Sequence, residues 1–165
     1  MGDYSGYGKN TYTMQTSIIS RTLDVQVQVT SPITNSSGAS EVVVAPIDPE
    51  VVLYEKHPLY GIQFQRTLSN LFTLNNSKEI EVVSEPYFFG TEDMHDTKLS
   101  YKWNINNSEF DGDTTRVSRV FRQAEGTSGT SFISVAVENA EQILQSARGE
   151  FSLVFKKSQS TKSTF

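Results

Sequence analysis

The 165-residue chain contains no cysteine, one tryptophan, two histidines and five prolines. Without cysteine there is no disulfide, no thiolate metal site and no cysteine nucleophile, and that absence suits a cytosolic or a surface setting equally. Long apolar runs are missing as well: nothing approaches the ~18 residues of a membrane span. Met1–Asn10 is polar and glycine-rich and does not read as a secretory leader. The expectation is a chain that follows a leader and works outside the cell or on its surface. Positive charge is scarce, 14 Lys and Arg against 19 Asp and Glu for a net charge of -5, which argues against nucleic acid as a partner. His57 and His95 are in no metal-spaced pair, and no G-x-S-x-G or glycine-rich phosphate loop is present. Carboxylates are plentiful, but nothing places two of them across a cleft. No catalytic residue and no enzyme is expected.

What the chain does have is aromatic residues and alternation. Hydrophobic residues are 36% and charged residues 20%, with ten Phe and seven Tyr, as in sandwiches with one core layer and many turns. In Lys98–Ile105, apolar Leu99, Tyr101, Trp103 and Ile105 alternate with polar Lys98, Ser100, Lys102 and Asn104. A period of two gives one greasy face and one wet face, so this is a half-buried strand. Burying one tryptophan removes roughly 200 Å² from water, so Trp103, with Tyr101 beside it, is expected at the core of the central strand. The fold class that follows is all-β, an antiparallel sandwich of immunoglobulin type.

Other strands are predicted by the same signal. Leu23, Val25, Val27 and Val29 alternate with Asp24, Gln26 and Gln28, and Glu41–Ala45 reads as the second arm of a hairpin. Pro46 and Pro49 end that hairpin, since proline donates nothing to a ladder. Strands are also expected at Thr11–Ser17, Glu50–Glu55, Glu79–Phe89, Thr114–Arg122, Ser131–Glu138 and from Phe151. Phe64, Leu68, Leu71 and Phe72 have helical spacing and predict one or two helical turns. Ala140, Ile143, Leu144 and Ala147 fit a helix or a hairpin, and the hairpin is preferred. From Lys156 onward, the Ser, Thr, Gln and Lys composition reads as a disordered tail.

The two clean alternating strands superpose. Val25, Val27 and Val29 fall on Ile133, Val135 and Val137 at an offset of 108, and Glu41–Val44 falls on Glu150–Leu153 at 109. A period near 110 is about the length of one immunoglobulin-type module, ~100 residues. Residues 1–46 thus read as the last strands of a partial module, 49–157 as a complete one and 158–165 as a tail. The bland alternative is chance likeness between two hairpins. A half sandwich leaves an open edge and an uncovered apolar face. The strands that would close it belong to a longer chain, to another chain, or to the second module.

Tyr101-x-Trp103, a polar turn and a late hairpin resemble immunoglobulin-like domains of the polycystic-kidney-disease (PKD) type over roughly residues 78–157. Asp111-Gly112-Asp113 loosely echoes that family's glycine-aspartate turn. A closer likeness is carried by Ser5–Asn10, Tyr54–Gly61 and Glu85–Phe89, which resemble uncharacterised secreted proteins of reduced-genome candidate-phyla bacteria. That resemblance implies a tandem surface protein with a fuller module upstream and no assigned activity.

Two groups of residues bear on binding. Glu92, Asp93 and Asp96 lie in one loop and Asp111 and Asp113 in another, hard oxygen ligands that two loops could offer to Ca²⁺. The plainer reading is a pair of solvated acidic loops and no cofactor. Tyr54, Tyr60, Tyr87, Phe88 and Phe89 form an aromatic concentration, read as a module interface or, alternatively, a platform for a glycan or a partner. The function expected is a non-enzymatic spacer or adhesive unit, with calcium or carbohydrate binding in a larger protein as the alternative. The partner expected is a protein, or self-assembly, by addition at a strand edge.

Overall fold

The computed structural model describes residues 4–13, 22–74 and 77–156. Among these there are strands, turns and no helix. The chain divides into two units, Met1–Ile47 and Asp48–Phe165.

Unit 1 contains one hairpin. Leu23–Thr30 (β1) pairs antiparallel with Ser37–Val44 (β2), with Val25 opposite Val42 and Thr30 opposite Ser37. The alternation places Leu23, Val25, Val27 and Val29 on one face with Val44, Val42, Ser40 and Gly38. Asn35 takes a left-handed φ of 55° in the turn, and its N–H donates to the Ser31 carbonyl at 2.9 Å. Thr11–Thr13 forms no strand, and the rest of that expected strand lies outside the described residues.

Unit 2 is a two-sheet sandwich. Its strands are Glu50–His57 (β3), Gly61–Thr67 (β4), Asn70–Leu74 (β5), Glu79–Tyr87 (β6), Leu99–Ile105 (β7), Ser108–Glu109 (β8), Ser118–Arg122 (β9), Gly129–Asn139 (β10) and Ser146–Phe155 (β11). One sheet has the order β4-β3-β6-β9 and the other β5-β11-β10-β7-β8. With β3, β6, β7, β9, β10 and β11 as strands A, B, C, E, F and G, this is the A-B-E and C-F-G arrangement of the immunoglobulin fold. The predicted all-β sandwich is therefore the fold of this unit.

Alternation in the central strands sends most of their apolar residues inward. Val51, Leu53, Ile80, Val82 and Phe121 of one sheet face Tyr101, Trp103, Ile133, Val135, Val137, Phe151 and Leu153 of the other. Trp103 is 1% exposed, lies opposite Val135 and meets Phe121 at 6.0 Å between ring centroids. Its indole N–H donates to the Arg116 carbonyl at 2.9 Å, which satisfies the one polar atom the ring carries inward. Each fully buried aliphatic side chain of this core contributes about 1.5–3 kcal/mol.

The helical turns predicted around Phe64–Phe72 are absent, and two short strands take their place. The backbone there has better partners than itself. β4 pairs with β3, Leu68 N–H donates to the Leu53 carbonyl at 2.7 Å, and β5 runs parallel to β11 with Asn70 opposite Phe151. Asn70 has φ 57°, a left-handed kink at the switch between sheets. Leu68 is buried beneath it, so the apolar spacing that mimics a helix marks two strands and a crossing. The polar turn after Trp103 is tighter than expected: Asn106 and Asn107, φ 50° and 66°, return the chain as β8. Residues 140–145 form the connection between β10 and β11, in keeping with the preferred hairpin.

Candidate functional site

The first candidate is the β1–β2 hairpin. Val27, Val29, Val42 and Val44 are 54%, 65%, 55% and 47% exposed, all on one face. The two strands form a sheet of their own, so neither outer edge has a strand partner among the described residues. Backbone donors and acceptors along such edges accept a further strand, and valines on a bare face gain by being covered. The opposite face carries Asp24, Gln26, Gln28 and Glu41, with Ala39 and Val43, the latter 58% exposed, among them.

The acidic loops form the second candidate. Asp111 and Asp113 are engaged by cations of their own unit. Asp111 Oδ1 accepts from Arg119 Nη2 at 2.7 Å, and Asp113 Oδ2 accepts from Arg116 Nε at 2.7 Å. Asp113 Oδ1 also accepts from the Thr115 N–H and hydroxyl, at 3.0 and 2.8 Å. Those donors, the backbone one first, hold the Asp113 carboxyl down at about 2. In the other loop, Asp93 and Asp96 accept from the backbone N–H groups of His95 and Lys98. His95 and Asp111 both line one shallow cleft of about 510 Å³, with Phe110, Arg116 and Arg119. Among the described residues no three acidic or histidine side chains come together as a metal site.

Three of the five aromatic residues, Tyr54, Tyr87 and Phe88, are in contact. Tyr54 is buried, its hydroxyl 3.2 Å from that of Tyr87 and its ring edge-on to Phe64 at 5.2 Å. The Tyr54 hydroxyl contact, with burial, pushes the Tyr87 phenol up to about 12. Phe89 packs against the core, whereas Phe88, with φ 63°, is 54% exposed. Tyr60 is 76% exposed and stacks on His57 at 4.7 Å. Tyr54, Tyr87 and Phe88 thus form a chain of contacts, with the Tyr87 and Phe88 rings 6.3 Å apart, while Tyr60 pairs with His57 and Phe89 with the core.

The sequence reading passed over Arg119. It is 4% exposed, donates also to the Asp113 carbonyl at 2.7 Å, and has its Nε and Nη1 buried without a partner. An arginine on the inward side of a strand next to an Asp-Gly-Asp loop was the available signal.

No family model and no curated protein matches the chain. Among solved structures, the chain is similar to the PKD domain of human KIAA0319, at 14% identity and a TM-score of 0.41, over 73% of this chain and 93% of that one. The fold assignment stands on the strand order of unit 2. No helix among the described residues is long and apolar enough to cross a membrane.

Proposed function

We propose that this chain is a non-catalytic module of a secreted or cell-surface protein, related to the tandem immunoglobulin-like proteins it resembles. It serves as a spacer and a protein-binding unit, in a pilus or envelope assembly. Unit 2 is the rigid spacer. The β1–β2 hairpin is the binding element and works by strand addition, in which backbone hydrogen bonds give affinity and alternate side chains give specificity. The observation that carries this reading is the row of half-exposed valines beside two edges without a strand partner among the described residues.

A titration of the isotopically labelled chain with an extended peptide of alternating valine and threonine tests it. Amide shifts confined to Leu23–Val44 are expected, and a peptide N-methylated along its pairing edge should give none. Silence of those amides up to about 1 mM peptide would overturn the reading. The second reading is a calcium- or carbohydrate-binding module of a larger protein; the cleft of His95 and Asp111, lined also by Arg116 and Arg119, suits the carbohydrate rather than the cation. An unchanged melting temperature in millimolar Ca²⁺, together with a silent glycan array, removes it.

A further inference from the structure

The β1–β2 ladder and the β10–β11 ladder have the same register. Raising β1 numbers by 108 and β2 numbers by 109 carries every pair of the first onto a pair of the second: Leu23–Val44 onto Ser131–Leu153, Val25–Val42 onto Ile133–Phe151, and Thr30–Ser37 onto Glu138–Ser146. The offsets come from side-chain pattern and the pairs from backbone position, so the agreement is not built in. A slip of one residue would have put the valines opposite the wrong face.

Size follows register. Val135 and Val137 lie opposite Gly149 and Ala147, and their counterparts Val27 and Val29 lie opposite Ser40 and Gly38. In unit 2 the small residue has a cause. A Cβ on Gly149 would come within 3.0 Å of Val51 Cγ1 and 3.1 Å of the Val51 carbonyl oxygen, because β3 of the facing sheet crosses there. Small residues thus occupy the same rungs of both hairpins, although Ser40 keeps the Cβ that the close crossing at Gly149 excludes. What differs is cover: Ile133, Val135 and Val137 are 0% exposed, whereas Val27 and Val29 are more than half exposed.

We infer that β1–β2 is the closing hairpin of a second immunoglobulin-type sandwich, completed by a segment built like Glu50–Arg122. This rests on the strand-addition reading above and names its occupant. The strand equivalent to β7 adds antiparallel to the free edge of β1 and puts an aromatic side chain opposite Val27, as Trp103 is opposite Val135. The strand equivalent to β3 crosses over Ser40 and Gly38. In unit 2 the strands β3, β6, β7 and β9 all precede β10, so the complement is a segment with that strand order, ending in a strand like β9.

The absence of cysteine makes the register directly measurable. Ala136 pairs with Lys102 and Ser134 with Asn104, and their counterparts in β1 are Gln28 and Gln26, on the wet face. The full chain carrying Gln28→Cys or Gln26→Cys is oxidised with a synthetic Lys98–Ile105 peptide carrying Lys102→Cys or Asn104→Cys. The expected result is that the pairs 28 with 102 and 26 with 104 crosslink about tenfold faster than the crossed combinations, since disulfide geometry tolerates little offset. Equal rates for all four combinations, or equal rates with a scrambled peptide, overturn the inference while leaving strand addition itself standing. Hairpin-to-hairpin crosslinking of Gln28→Cys chains, with a dimer in sedimentation, overturns it in favour of a second copy. A peptide that precipitates is replaced by the chain with a copy of Asp48–Gln123 joined ahead of Thr16. There, about a hundredfold slower exchange of β1 amides supports the inference, and unchanged exchange beside a folded copy overturns it.

Discussion

Gly149 lies directly under Val51: a Cβ placed on it would sit 3.0 Å from Val51 Cγ1 and 3.1 Å from Leu53 Cγ. Two sheets can approach this closely only where one of them gives up a side chain. Gly149→Ala should therefore cost unit 2 about 1–3 kcal/mol in urea unfolding, as overpacked cores do. Ser40→Val, at the equivalent rung of the bare hairpin, should change stability by less than about 0.5 kcal/mol. A loss at Ser40 as large as that at Gly149 would mean that the hairpin face is already covered in the isolated chain.

Trp103 is the only tryptophan, so its fluorescence follows unit 2 and is blind to the β1–β2 hairpin. Buried at 1% exposure, it should emit at short wavelength and shift to red in one step with urea. Trp103→Ala should cost about 3–5 kcal/mol, through lost burial, a residual cavity against Phe121 and an unmatched Arg116 carbonyl. A red emission maximum in the folded chain would remove the indole from the core.

The strands whose two faces meet different solvents were legible in the sequence. Leu23–Thr30, Leu99–Ile105 and Gly129–Asn139 alternate because one side is apolar and the other wet, and the pattern states the fold locally. The crossing at Leu68 was not legible. Its geometry is set by β3 together with β11, which lies far away in sequence, and the spacing of Phe64, Leu68 and Phe72 fits two periods at once. The hairpin as a site was legible: the half-repeat predicted an open edge and an uncovered apolar face, and Val27, Val29, Val42 and Val44 are about half exposed. The acidic loops misdirect for a related reason. Sequence displays Asp111 and Asp113 together, while Arg119, which uses one of them, is hidden in a strand.

Arg119 and Asp111 should respond unequally to mutation. The guanidinium side chain is 3% exposed, the carboxylate 45% exposed. Removing the carboxylate strands a buried cation, whereas removing the cation lets Asp111 return to water. Asp111→Asn is expected to cost about 1–3 kcal/mol after discounting for the exposed carboxylate, and Arg119→Met less than that. The double variant should recover most of the Asp111→Asn loss, because the Arg119 Nε and Nη1 atoms already lack partners. Chemical unfolding of the four proteins measures the coupling. Additive losses would show that the two side chains act independently.

The loop that carries Asp113 should loosen in acid over a narrow range. Its carboxyl titrates at about 2 when folded, against an ordinary value of 3.8, because the Thr115 N–H, the Thr115 hydroxyl and Arg116 favour the ionised form. The folded pKa is the lower one, so the unfolded chain binds the proton first as pH falls. The contribution is complete above about pH 4 and fades toward pH 2. Across that window, the Thr115 amide resonance should move and its hydrogen exchange accelerate, while the Ile133 and Val135 amides of β10 stay protected. In Asp113→Asn the pH response of Thr115 should vanish, with its faster exchange already present at pH 7. Were the wild-type Thr115 amide to titrate near pH 4 instead, the carboxylate would not be held by these donors, and Asp113 would be free for another ligand.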